Sequence, residues 1–282
     1  MKYYLPLLIL SFFFLESCRT SSVPNHSANT DCGQSWEMSN PDSRLVSISG
    51  SWGIGPDNSV WYWENNDWVQ RNPGDKLKDL SGSWGIGPDG SVWHWEKNGW
   101  VQRNPGDKLA AISEPWGVGP DGSVWRWENN DWVQRNPGDK LKDVSGSWGI
   151  GPDGSVWRWE NDDWVQRNPG DKLAVISGAW GIGANGSVWR WEGNEWTQRN
   201  PDDTLIDVYA GAGGWGIAAD GSVWHWERNE WIKTRFPEQV KARKVSAIQT
   251  SKRNICRVFV LDEIHQVWST FCDCTGAFVS DR

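Results

Sequence analysis

Three polar residues return along this chain at a fixed 32-residue step: Arg71, Asn72 and Asp75, then Arg103, Asn104 and Asp107, then Arg135, Asn136 and Asp139, then Arg167, Asn168 and Asp171. A guanidinium, an amide and a carboxylate gathered in one concave junction are donors and acceptors suited to sugar hydroxyls, and polar loops on a rigid frame are well placed to recognise a ligand. A plainer reading is that Asn and Asp bond their own turns while Arg pairs with Asp to pin the loop. Reactive chemistry finds less support. His94 and His225 fill the middle of Trp-x-Trp segments, His26 and His265 stand alone, and there is neither a Gly-x-Ser-x-Gly elbow nor a Gly-rich phosphate loop. Asp162 and Asp163 are adjacent on a turn and point apart, unlike a glycosidase pair held about 5–9 Å apart. No catalytic residue and no cofactor is expected.

The elements that must position these residues follow from the same repeat. Trp-Gly pairs at Trp52, Trp84, Trp116, Trp148 and Trp180 are 32 residues apart, a sixth at Trp215 lags by three, and each is followed by Trp-x-Trp-Glu, or Trp-Tyr-Trp-Glu in the first unit. A unit of this length, nearly identical along the chain, marks a repeat architecture whose faces are buried only against neighbouring units. With 26 Trp, 31 Gly and 2 Met, apolar residues alternate over short runs bounded by Pro-Asp-Gly and Asn-Pro-Gly turns, the pattern of strands. One unit parses into Leu141–Ser145, Trp148–Gly151, Val156–Glu160 and Trp164–Arg167. Four short antiparallel strands repeated about an axis make a propeller blade.

Counting each strand type separately predicts an all-β propeller of seven four-stranded blades, in which Trp36–Ser39 completes the last blade beside Val267–Phe271. Six blades plus a cysteine-rich C-terminal cap is the alternative. The first Trp of each unit and the Trp-x-Trp pair are expected to pack between blades. The outer Trp68, Trp100, Trp132, Trp164, Trp196 and Trp231 stay open between packing and exposure. The Pro-Asp-Gly and inter-blade loops should emerge on one face and repeat Asp89, Arg103, Asn104 and Asp107 around it.

The Trp-Gly-Ile-Gly, Gly-Ser-Val-Trp, Trp-Val-Gln and Leu-x-x-Val-Ser segments together resemble the tectonin β-propeller repeat of tectonins, fish-egg lectins and tachylectin-like proteins, over about residues 35–235 and more faintly over 236–274. The resemblance implies a ring-shaped, multivalent binder of glycans on cell surfaces, bacterial envelope glycans among them. A non-enzymatic protein-interaction scaffold on the same fold is the rival reading, since one fold hosts many functions.

Residues 1–17 read as an export signal, with Lys2 followed by the apolar run Leu5–Leu15, and Leu15-Glu16-Ser17-Cys18 resembles a lipoprotein cleavage box. Cys18 is the expected lipidation site, residues 18–34 a polar tether, 35–274 the propeller and 275–282 a tail. An outer-membrane lipoprotein is expected, with secretion as the alternative, acting as a monomer whose only membrane contact is the anchor. Cys32, Cys256, Cys272 and Cys274 remain, an even number in an exported chain, which suggests disulfides rather than a zinc centre. Strand order pairs Cys256 with Cys272 and Cys32 with Cys274. The net charge of -8 argues against nucleic acid, whose affinity comes from clustered Lys and Arg.

Overall fold

Turn chemistry sets the strand lengths. The third and outer strands of each repeated unit are joined by two-residue hairpins whose central residues are left-handed, such as Asn65 and Asn66 (φ 51° and 63°) or Asn161 and Asp162 (φ 51° and 60°). That conformation suits the right-handed twist of the strands and favours Asn, Asp and Gly. At the other end, the Asp of Pro-Asp-Gly accepts a hydrogen bond from the N–H two residues on, as in Ser91 N–H to Asp89 Oδ1 at 2.9 Å, and Gly90 (φ 85°) closes the turn.

The structure is a computed structural model that describes residues 32–39, 44–72, 76–106, 108–252 and 254–273. These form seven antiparallel sheets of four strands each, a seven-bladed propeller. Blade 4 is typical, with strands Asp143–Ser145, Trp148–Ile150, Val156–Glu160 and Asp163–Gln166. The first strands of successive blades touch one another round the ring, blade 7 against blade 1 included, so they line the axis. The Ser that ends them joins neighbours: Ser49, Ser81, Ser113, Ser145 and Ser177 each accept the N–H of a residue 33 positions on, in the next blade. Ser246 does the same for Gly50, and the Tyr209 hydroxyl donates to Ala247 O between blades 6 and 7.

The core is a set of indole sandwiches between blades. The first Trp of one unit faces the Trp-x-Trp and outer Trp of the next, as Trp116 does with Trp159 and Trp164, both at 4.9 Å between centroids. The middle residue of Trp-x-Trp completes each sandwich. Arg126 lies over Trp116 at 5.3 Å and Trp159 at 5.6 Å, and His94 stacks on Trp84 at 4.1 Å. The outer tryptophans belong to this core. Trp68, Trp132, Trp164 and Trp231 are under 10% exposed, and Trp100, Trp132, Trp164, Trp196 and Trp231 donate Nε1–H to the main-chain carbonyl of Arg71, Arg103, Arg135, Arg167 and Arg199 in the preceding blade. The Gly of each Trp-Gly pair is demanded by close approach. A Cβ on Gly149 would sit 2.4 Å from Leu141 Cδ1, and the same clash recurs between Gly85 and Leu77 and between Gly181 and Leu173.

Blade 7 consists of Ala242–Gln249, Ile255–Asp262, Val267–Asp273 and the N-terminal strand Glu37–Met38. Glu37 stands opposite Ser269 and Met38 opposite Trp268. Both expected disulfide pairings are overturned: Cys32 is bonded to Cys272, with Cα atoms 4.6 Å apart, so neither Cys32–Cys274 nor Cys256–Cys272 forms. Running the ladder back from Glu37 would bring Cys32 level with residue 274, but the chain leaves the ladder in a turn at Gly33 (φ 70°). That turn is fastened by Arg235 N–H and Trp36 Nε1–H, both donating to Gly33 O. Cys32 therefore meets Cys272, two residues short. The Cα atoms of Cys256 and Cys272 are ladder partners, yet their sulfurs cannot pair, and Cys256 is held in a separate disulfide. Cys18 and Cys274 lie outside the described residues.

Candidate functional site

The four repeated trios lie at the blade junctions, where the structure divides their labour. Each Asn accepts a buried main-chain N–H at the start of its own third strand: Asn72 Oδ1 from Val60, Asn104 from Val92, Asn136 from Val124 and Asn168 from Val156, all at 2.8 Å. Asn200 repeats the bond with Val188. The amides themselves are exposed, and Nδ2 of each has no hydrogen bond among the described residues.

The Arg side chains turn away from this loop face. Each runs along the outer strand to the Glu at the far end of the third, pairing Arg71 with Glu64, Arg103 with Glu96 (2.6 Å), Arg135 with Glu128 and Arg167 with Glu160. Glu128 is shared with Arg126 at 3.6 Å. Such part-exposed pairs contribute little stability, but they orient the guanidinium. Asp75 and Asp107 lie outside the described residues. Asp171 accepts Asn185 Nδ2–H at 3.1 Å and the Ser187 hydroxyl at 3.0 Å from the next blade, and no bond to Asp139 is seen among the described residues. The Asn residues and Asp171 thus stay at the loop face, and Arg leaves it.

A residue pair that sequence reasoning assigned wholly to packing or passed over joins the Asn there. The first Trp of Trp-x-Trp is only half-buried in blades 1, 2, 3 and 5, at Trp61, Trp93, Trp125 and Trp189. Its register partner on the outer strand is an exposed Gln: Gln70, Gln102, Gln134 or Gln198. The indole is held by a relay. Trp93 Nε1–H donates to Ser91 Oγ at 3.0 Å, and Ser91 bonds through its hydroxyl and its N–H to Asp89, which holds that carboxyl below its usual range. The loop from the preceding blade lies against the ring edge, so a Cβ on Gly106 would be 3.7 Å from Trp125 Cη2. Blades 1, 2 and 3 therefore each offer an aromatic edge, two amides and a carboxylate at the loop face, whereas Trp157 and Trp224 are buried.

The junction of blades 6 and 7 departs from this pattern. Arg235 stands where the other blades carry Asn, and a cavity of about 250 Å³ opens, lined by Asp220, Ser222, Lys233, Thr234, Phe236 and Glu238.

Within the axial channel, equivalent positions of the first strands carry Ser47, Asp79, Ala111, Asp143, Val175 and Asp207, while Lys244 of blade 7 reaches toward Ser47 Oγ at 3.5 Å. Burial raises the pKa of Asp79 and Asp143, and pushes Asp207 up to about 6 against the pull of Lys244. The sign follows from linkage. The unfolded carboxyl ionises near 3.8 and the folded one near 6, so this group's contribution falls as pH rises across that window and stays low above it. Asp207→Asn is expected to stabilise the fold by about 1–2 kcal/mol at pH 8, less than the full shift because the residue is only half-buried, and to change it little at pH 4. Urea unfolding at the two pH values checks this; an equal gain at both would remove the charge from the explanation.

The class defined by this architecture is the seven-bladed β-propeller. In fold the chain is similar to BBS1N in its complex with ARL6DN, with TM-score 0.59 and 7% identity over 83% of this chain and 95% of that one. It is also similar to the Pan2 WD40 domain of Neurospora crassa, with TM-score 0.54 and 11% identity over 84% and 95%. At such identities the likeness is one of fold alone. No family model matches the sequence, and no curated protein matches it either.

Proposed function

We propose that this propeller is a tectonin-like, non-enzymatic glycan-binding protein of the cell envelope, exported and tethered through Cys18, whose blade junctions bind repeated surface sugars. The observation that carries the reading is the recurrence of one edge at successive junctions, with half-buried Trp61, Trp93 and Trp125 each beside an exposed Gln and an exposed Asn amide. Individually weak sites on a rigid ring reach useful avidity when the ligand is itself repeated. The disulfide fits an oxidising, extracytoplasmic compartment.

Asn→Asp is the informative substitution, because Asp keeps the acceptor for the strand N–H and replaces the amide donor with a charged, acceptor-only oxygen. A glycan-array hit carried into titration calorimetry is expected to show about four or five weak sites per chain. Asn104→Asp should remove one share of them, and the fourfold variant at Asn72, Asn104, Asn136 and Asn168 most of the avidity. One site per chain, or full avidity in the fourfold variant, moves binding off these junctions. Binding to no envelope glycan favours the protein-scaffold reading.

A further inference from the structure

The seam between blades 6 and 7 gathers a donor set that neither the disulfide nor sugar binding explains. Cys32 precedes the closing strand, Cys272 is the penultimate residue of the third strand of blade 7 and His225 sits in the third strand of blade 6, yet one ligand atom from each lies within 4.8 Å of the other two. His225 is 6% exposed and tilted against Trp215 at 4.6 Å. Its Nε2 is buried without a hydrogen-bond partner.

We propose that, once the Cys32–Cys272 disulfide is reduced, Cys32, Cys272 and His225 bind one zinc ion, so that the ring is closed by a covalent bond in its oxidised form and by a metal in its reduced form. Two thiolates and an imidazole are a soft, nitrogen-containing set that suits Zn²⁺. A tetrahedral zinc needs donors roughly 3.5–3.8 Å apart, so shifts of about 1 Å complete the site. The fourth position is taken by water or by Cys256, which stands across the ladder from Cys272 once its own disulfide is reduced. Reduction consumes two electrons and two protons from a dithiol, which leaves as its disulfide. Zinc then displaces both thiol protons to solvent. The ion would tie the N-terminal segment, blade 6 and blade 7 together. The proposal stands apart from the glycan reading.

Cobalt(II) titration of the full chain tests it, before and after anaerobic reduction. Reduced protein is expected to bind one equivalent, with thiolate-to-cobalt charge transfer and tetrahedral d–d bands that Zn²⁺ abolishes, and oxidised protein to bind none. His225→Phe keeps an aromatic ring against Trp215 and should weaken binding at least about 100-fold and alter the d–d bands, since even outer-shell partners of ligands are worth 10–100-fold. Cys256→Ser should still bind one equivalent. The proposal fails if reduced, folded protein takes up no cobalt, if His225→Phe binds as tightly with the same spectrum, or if Cys256→Ser loses the site. Should reduction unfold the chain, recovery of a chelator-sensitive fold on adding Zn²⁺ supports the site, and no recovery overturns it.

Discussion

Cys32→Ser is expected to lower stability by about 4–5 kcal/mol in chelator-containing, non-reducing buffer, the loss that loop-entropy arguments assign to a bond spanning more than 100 residues. The bond to Cys272 closes a separation of 240 residues, and among the described residues the strand it fastens is in register with its partner at Glu37 and Met38, with one more main-chain bond from Ser39 N–H to Val267 O. So short a strand cannot by itself offset the entropy of ordering the N-terminal segment. For a chain of this size a thermal midpoint lower by about 10 °C follows. A dithiol should bring the wild type and the variant to a common midpoint, since it reduces the disulfide of Cys256 in both. A variant that melts with the wild type would show that packing between blades 7 and 1 closes the ring unaided.

Trp148→Ala is expected to cost about 3–5 kcal/mol, the range for emptying an aromatic site in a packed core. Trp148 is 1% exposed, meets Trp191 and Trp196 edge-on at 5.1 and 5.0 Å, and carries Arg158 at 5.2 Å over its ring. Removing it opens the junction of blades 4 and 5 and leaves that guanidinium over Trp191 alone, at 5.6 Å. Trp125→Ala, at a half-buried indole, should cost less than half as much. Urea unfolding followed by circular dichroism compares the two, and a loss below about 1 kcal/mol for Trp148 would mean that blade-to-blade packing does not hold the ring together.

Much of this architecture is legible because each motif residue answers a local physical demand. Trp-Gly reports a strand against which Leu141 or its counterpart packs too closely for a Cβ. Asp-Gly-Ser-Val-Trp reports the relay that orients the indole, and the terminal Ser of Leu-x-x-Val-Ser reports the bond to the next blade. Roles set by other strands, in the same blade or the next, are harder to read. The outer tryptophans look exposed until the carbonyl of the preceding Arg is seen to receive their N–H. The Arg side chains look like loop residues until the Glu of Trp-x-Trp-Glu draws them off. Two discrepancies at the seam have the same origin. The turn at Gly33 shifted the cysteine pairing by two residues. His225 stands 47 residues from Cys272 by numbering, disguised as a variable position of Trp-x-Trp, so no ligand spacing marked it.

The placement of Glu37–Met38 in the last blade carries a cost measured in time. Made early, this strand has no partner until residues 268 and 269 exist. At synthesis rates of about 5–20 residues per second, that delay is on the order of 10–50 s. Meanwhile the blade 1 face with Trp63 and Trp68, destined for Phe259, lies open, and near-identical blades of another nascent chain present almost the same complement. Swapped assembly between chains is the characteristic failure of such arrays. Crowding of nascent chains, more than weakness of the finished ring, is thus where this protein is vulnerable.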